Sequence, residues 1–193
     1  LKTMTFLRNH WYDIGGVFGV VILVLAYCFR PEFSAYQLLM WLSLASLFFH
    51  QVEEYRIPGT FPGMINRVMF HSDLPGRYPH NSNTALVINV ALGWTIYLAA
   101  AIAGERLVWL GVVTMMVSLG NIGAHTVIFN VRGKTRYNAG PLTSWLFFAP
   151  CIFCFIRILR GGNIARVQDY LIGIPLGIIV NVFFIFKMIG WLA

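Results

Sequence analysis

The chain has 193 residues, of which 58% are hydrophobic, 16% aromatic and 11% charged, with a mean hydropathy of +0.71. A soluble domain is roughly one-quarter charged, so fourteen Lys and Arg with seven Asp and Glu cannot cover a globule of this size. The composition excludes a disordered chain and argues against a soluble domain. It implies an all-α, polytopic transmembrane helix bundle of about six spans, a single transmembrane domain over residues 1–193.

The first expected span covers residues 14–29 and stops ahead of Arg30-Pro31. It does not read as a cleavable leader, because no small-residue cleavage site precedes Arg30. The second covers residues 34–55, its start bounded by Pro31. A polar, Pro- and Gly-rich stretch follows over residues 56–83, long enough to cap a site. The remaining spans are expected over residues 84–103, 107–131, 142–159 and 170–192. Asn81, Ser82 and Asn83 read as the cap of the third span. His10, Trp11 and Asp13 read as interfacial residues.

Basic residues sit at the span ends, which makes the net charge of +7 a cytoplasmic-face signal rather than a nucleic-acid footprint. One side collects Lys2, Arg8, Arg56, Arg67, Arg77, Arg132, Lys134 and Arg136, and the other Arg30, Arg106, Arg157, Arg160 and Arg166. That bias puts both termini in the cytoplasm of a multi-pass cell-membrane protein, with no nucleic-acid partner. Cys28, Cys151 and Cys154 lie in apolar runs and form no disulfide framework. Gly15-Gly16-x-x-Gly19 and Gly173-x-x-x-Gly177 offer small faces for close helix packing, the second within the chain or in a homo-oligomer. Asn181, in mid-span, needs a hydrogen-bond partner.

Ionisable groups at membrane depth are costly unless paired, so they are functional candidates. His50, Glu53 and Glu54 stand at i, i+3 and i+4 and share one helix face. An imidazole and two carboxylates there make a metal-ligand set. The competing reading is a solvated helix end, with Glu54 paired to Arg56 or Arg67. Asn121 and His125 share a face of the fourth span. His50 and His125 lie six and seven residues before Arg56 and Arg132, so both fall roughly 10 Å inside the same membrane face. Asn89 lies at a similar depth in the third span. Tyr137, in the loop between spans four and five, is placed to donate a hydrogen bond to developing negative charge. Gly140-Pro141 closes that loop with a turn. His71 and His80 read as solvated loop residues.

His50-x-x-Glu53-Glu54-Tyr55, then Asn121-x-x-x-His125, then Tyr137-Asn138-Ala139-Gly140 resemble the HXXEE family of bacterial membrane proteins. That family carries an HXXEE motif, a further histidine and a Y-x-P-G motif. The stretch from Ile88 to Trp94 also looks familial, and Ala139 stands where the family has proline. The resemblance implies an enzyme of unassigned reaction.

The chemistry expected first is hydrolysis of a lipid-like or amphipathic substrate in contact with membrane lipids. His50, His125 and one glutamate bind a divalent metal, zinc in preference to iron, and the other glutamate acts as base. Glu53 and Glu54 are both candidate ligands: Glu53 as ligand with Glu54 as base comes first, and the reverse assignment stays open. Tyr137 or Asn121 holds the oxyanion, and Asn89 and Tyr137 contact substrate. Three alternatives stay open: a di-iron oxidoreductase, a metal-free lipid isomerase shuttling protons between glutamate and His50, and a non-enzymatic carrier or receptor.

Overall fold

The structure is a computed structural model that describes residues 2–193, leaving aside the side chains of residue 2 and residues 184–186. Lys2, counted above among the basic residues, belongs to that group. About 83% of the chain is helical and no strand occurs among the described residues. The helices are α1 (Lys2–Cys28), α2 (Ala35–Tyr55), α3 (Phe61–Phe70), α4 (82–103), α5 (108–133), α6 (141–162) and α7 (167–191).

Among the described residues, three helical runs are long and apolar enough to cross a membrane: Thr3–Cys28, Ser82–Gly133 and Pro141–Gly162. The second has 52 residues, enough for two crossings. It breaks at Gly104, whose φ of +54° suits glycine. On either side of that break α4 and α5 pack together. Tyr97 Oη donates to Thr114 O at 3.0 Å and meets Ser118 Oγ at 2.8 Å. Helices thus stand at all six expected positions. Two are not among the long apolar runs. The apolar part of α7, Val167–Phe183, is shorter, and α2 carries the charged motif.

α2 is the helix the others surround. Ser34 caps its start by accepting from Gln37 N at 3.0 Å. Thirteen of its residues are buried, from Tyr36 to Glu54. α1, α3, α4 and α6 all contact it, so its polar residues face protein rather than lipid. The glycines of α1 make the closest of these approaches. A Cβ on Gly16 would stand 2.9 Å from Val52 Cγ2, and one on Gly19 3.0 Å from Phe49 Cζ. The other face of α1 exposes Val17, Val20, Val21 and Val24, as a lipid-facing surface does.

Three readings of the sequence change. The stretch over residues 56–83 is not all loop, because Phe61–Phe70 is helical and buries Phe61, Ile65 and Val68. Trp11, read as an interfacial residue, is buried within the protein. It is 2% exposed and packs edge-on against Tyr55, with ring centroids 4.8 Å apart. Gly173 and Gly177 pack within the chain: a Cβ at Gly173 would meet Val112 Cβ at 2.6 Å and Trp109 O at 2.7 Å. Asn181, one turn on, finds its partners there. It donates to Met116 O at 3.0 Å and to its own Gly177 O at 2.9 Å. The three cysteines are free, and Cys151 lies 3.6 Å from Ser46 Oγ in the core.

Close packing of α7 on α5 makes Gly173→Leu a strong test of this register. It is expected to lower the thermal-unfolding midpoint in detergent sharply, whereas Gly190→Leu, with open space around it, leaves that midpoint nearly unchanged. Equal midpoints for the two variants would contradict the contact.

Candidate metal centre

The i and i+4 members of the α2 motif converge with the histidine of α5. Glu54 Oε1 lies 3.5 Å from His50 Nε2 and 3.2 Å from His125 Nε2. The ligand atoms of the three residues all fall within 4.8 Å of one another, and each residue is at most 4% exposed. The histidine rings stand nearly perpendicular, at 84° with centroids 5.0 Å apart. Ligands on bonds of about 2.1 Å in a tetrahedral shell lie about 3.4 Å apart. Both glutamate–histidine separations match that spacing, so this group could hold one metal ion.

The hydrogen bonds behind the rings determine which nitrogen faces the centre. Asn138 Nδ2 donates to His125 O at 2.8 Å and to Asn130 Oδ1 at 2.7 Å. Its Oδ1 is therefore the atom facing His125 Nδ1 at 2.6 Å, and that nitrogen must donate. Thr143 Oγ1 donates to Glu53 Oε2 at 2.5 Å, so it accepts from His50 Nδ1 at 2.8 Å. Each neutral imidazole then presents a bare Nε2, the tautomer a metal requires. Both Nε2 atoms are buried without a hydrogen-bond partner. Two nitrogen lone pairs and a carboxylate oxygen thus face one another in an interior where unpaired acceptors are costly.

Glu53 stands apart from the three. Its carboxylate accepts from Thr143 N at 2.8 Å, Leu142 N at 3.3 Å and Tyr137 Oη at 2.9 Å. It therefore caps the start of α6 and ties the Tyr137 loop to α2. Of the two glutamates, Glu54 is the one grouped with the histidines, and Glu53 is linked to His50 through Thr143. One residue apart on a helix, the two carboxylates point about 100° from each other, and the spacing alone did not say which one meets α5. Nor is the motif a solvated helix end, since Glu54 pairs with the histidines and not with Arg56 or Arg67.

The loop closes tightly on the centre. Gly140 has φ +126°, and a Cβ there would run into the His125 ring. Ala139, at the position where the family carries proline, is fully buried against Phe61 and Phe129. Outside the spans, partial burial and the Glu53 contact push the Tyr137 hydroxyl up to about 12. Apolar rings wall the site, with Phe148 4.8 Å from His50 and Phe61 5.3 Å from His125.

A cavity of about 80 Å³ runs beside His50 and Glu54, with room for two or three waters at liquid density. Asn89 and Asn121 both line it. Asn121 also borders a second cavity on the His125 side. Its Nδ2 donates to Val117 O at 3.0 Å, which leaves a second N–H free. Asn89 belongs to a chain of hydrogen bonds along the cavity wall. Trp94 Nε1 donates to Gln51, Gln51 to Asn89, and Asn89 to Tyr55 Oη. Tyr55 Oη in turn meets His80 Nε2 at 2.8 Å. Tyr137 lies on the Glu53 side, half exposed.

His80 and Tyr55 were not anticipated on this wall. His80 is 2% exposed, held by Asn66, which bonds both its N–H and its C=O. Burial lowers its pKa to about 4, against the opposing pull of Glu54. His71 is exposed, as expected. Thr143 and Asn138 also escaped the reading as orienting groups, although Asn138 stands inside the Tyr137–Gly140 motif. The helices around the site carry π-helical stretches at Val87–Trp94, Ala124–Ile128 and Ser144–Phe148. Such stretches are frequent at functional sites.

The geometry separates the two glutamates. Glu54→Ala is expected to abolish stoichiometric metal binding, whereas Glu53→Gln weakens it by about 10–100-fold, the usual effect of losing an outer partner. Elemental analysis and competition against a chelating dye read both, and equal losses would place Glu53 among the ligands. Gly140→Ala is expected to disturb the site as strongly as His125→Ala in the same assay, since the added methyl occupies the imidazole's space.

Comparison with known proteins follows the same residues. Residues 41–155 match a family described as "Protein of unknown function with HXXEE motif". No curated protein and no solved structure matches the chain. The matched segment starts inside α2 and ends inside α6, and so takes in every side chain of the centre. With more than half of its length matched and the motif at His50, Glu53 and Glu54, the chain belongs to the HXXEE-motif family.

Proposed function

We propose that the chain is a membrane-embedded, metal-dependent hydrolase, holding zinc at His50, Glu54 and His125 and acting on a lipid-like or amphipathic substrate. One observation carries the reading: two buried, partnerless Nε2 atoms aimed at one carboxylate oxygen, each held in the metal-ready tautomer from behind. Two histidines and a glutamate with a fourth position open are a known catalytic zinc set. When bound, zinc lowers the pKa of a water to about 7 and polarises a carbonyl.

The protein's own groups supply the rest. Thr143 and Asn138 keep the imidazoles aligned. The apolar rings of Phe61, Phe129 and Phe148 keep bulk water out. The free N–H of Asn121, on the cavity wall, is available to an oxyanion. In the overall reaction the water oxygen joins the acyl carbon, the acyl–oxygen bond breaks, and a water proton leaves with the alcohol. Location supports the substrate class, since the cavity lies between apolar helices. The excess of basic residues on these loops supports cytoplasmic termini and, with them, a centre near the inner face of the cell membrane.

A second reading keeps the site and changes the metal. Two histidines and one carboxylate also serve mononuclear iron in oxygenases. A di-iron centre is less well supported, because the cluster holds one carboxylate and Glu53 is engaged elsewhere.

Metal analysis of protein purified in detergent is expected to give one zinc per chain. Release of a short-chain ester's alcohol is expected to require that zinc, to stop on chelation and to return on its re-addition. His125→Ala is expected to lose about 1,000-fold in rate, equivalent to several kcal/mol of charge stabilisation. Iron at one per chain would favour the oxygenase. Full ester cleavage by metal-free protein would end both metal readings.

A further inference from the structure

A cleft of about 560 Å³ opens between the C-terminal ends of α3 and α5, lined by Arg67, Val68, His71, Arg132, Gly133 and Lys134. Arg67, His71, Arg132 and Lys134 are all exposed. Both helices stop at a residue with left-handed backbone, His71 and Lys134, each with φ 49°. Basic residues at helix C-termini commonly offset the helix dipole, and Arg67 and Arg132 fit that role. It does not account for the excess of positive charge.

The chain has seven carboxylates, and none lines this cleft. Asp13 pairs with Arg56 and His10. Glu53 and Glu54 are buried at the centre. Glu105 accepts from Ser34, and Asp169 accepts from Arg166 N and Trp109 N. Glu32 lies on the connection from α1 to α2, and Asp73 lines an adjoining groove that meets the cleft at His71 without lining the cleft itself. Among the described residues, Arg67, Arg132 and Lys134 enter none of the ion pairs. Cations gathered without counter-charge at the rim of an apolar bundle call for an external anion.

Depth connects the cleft to the centre. Seven residues of α5 separate Arg132 from His125, about 10 Å along the axis. On the same helix Val127 and Val131 are 57% and 70% exposed, an apolar track leading away from the cations. A head group at Arg132 and Lys134 leaves the acyl chains to follow that track. The ester carbonyls, about one head-group length deeper, then reach the depth of His125, on the outer face of α5 whose inner face carries that ring.

We propose that this cleft seats the phosphate of an anionic phospholipid head group. The proposal rests on the hydrolase reading where it adds that such a lipid is the substrate. The test uses the full chain in detergent, titrated by calorimetry with short-chain phosphatidylglycerol, short-chain phosphatidylcholine and inorganic phosphate. Phosphatidylglycerol is expected to bind at least tenfold more tightly than the other two. Arg67→Gln/Arg132→Gln/Lys134→Gln is expected to lose on the order of a hundredfold while keeping wild-type metal content. Lys134→Glu, a single exposed change, reads the same effect should the triple variant fold poorly. Equal binding of phosphatidylcholine, binding unchanged in the variants, or free phosphate binding as tightly as the lipid would overturn the proposal. Absence of metal from the wild type would strike the hydrolase reading instead, and the same titration still decides the cleft.

Discussion

Two imidazoles and a carboxylate buried face to face are the constraint on which the site depends. His50, His125 and Glu54 are buried where water cannot separate them, and each imidazole is committed at its far nitrogen. Positive charge between them stabilises such an arrangement. A single proton can serve two of the three acceptors, but a divalent cation serves all three. The outer hydrogen bonds matter as much as the ligands, since loss of Asn138 or Thr143 would free a ring to change tautomer.

The remainder of the fold positions that group. α2 is enclosed by its neighbours, so its charged turn meets protein on every side. The α1 glycines allow one neighbour to approach, and the Glu53 contacts draw in the start of α6. Glu53 also explains why the motif has two adjacent acids. One faces the two histidines, and the other fastens the Tyr137 loop and the start of α6, which carry Asn138 and Thr143. A single carboxylate on α2 could not do both, because successive side chains diverge around the helix.

The surroundings give the site its access and its selectivity. The cavity is polar where Asn89, Tyr55 and His80 line it and apolar where Ile88, Leu92 and Val180 do. α3 borders both the cavity, through Phe61 and Ile65, and the cationic cleft, through Arg67. This short helix therefore connects the centre to the membrane surface.

Composition alone determined the solvent this chain needs, because too few charges remain to cover a soluble surface. The hydropathy pattern located six helices, and the i, i+4 spacing of His50 and Glu54 put two of the clustered side chains on one face. Matching the distances of His50 and His125 from the basic loops brought the third to the same depth. These are one-dimensional properties, and helical geometry converts them directly into position. The roles of Glu53 and Glu54 were of another kind. Which acid meets His125 depends on the rotation of α2 relative to α5 and on the π-helical turn that carries His125, and neither leaves a mark in the spacing. The burial of His80, the helix inside the 56–83 stretch and the tautomers imposed by Thr143 and Asn138 likewise depend on partners distant in sequence. Only packing brings those partners together, so only the tertiary structure could decide them.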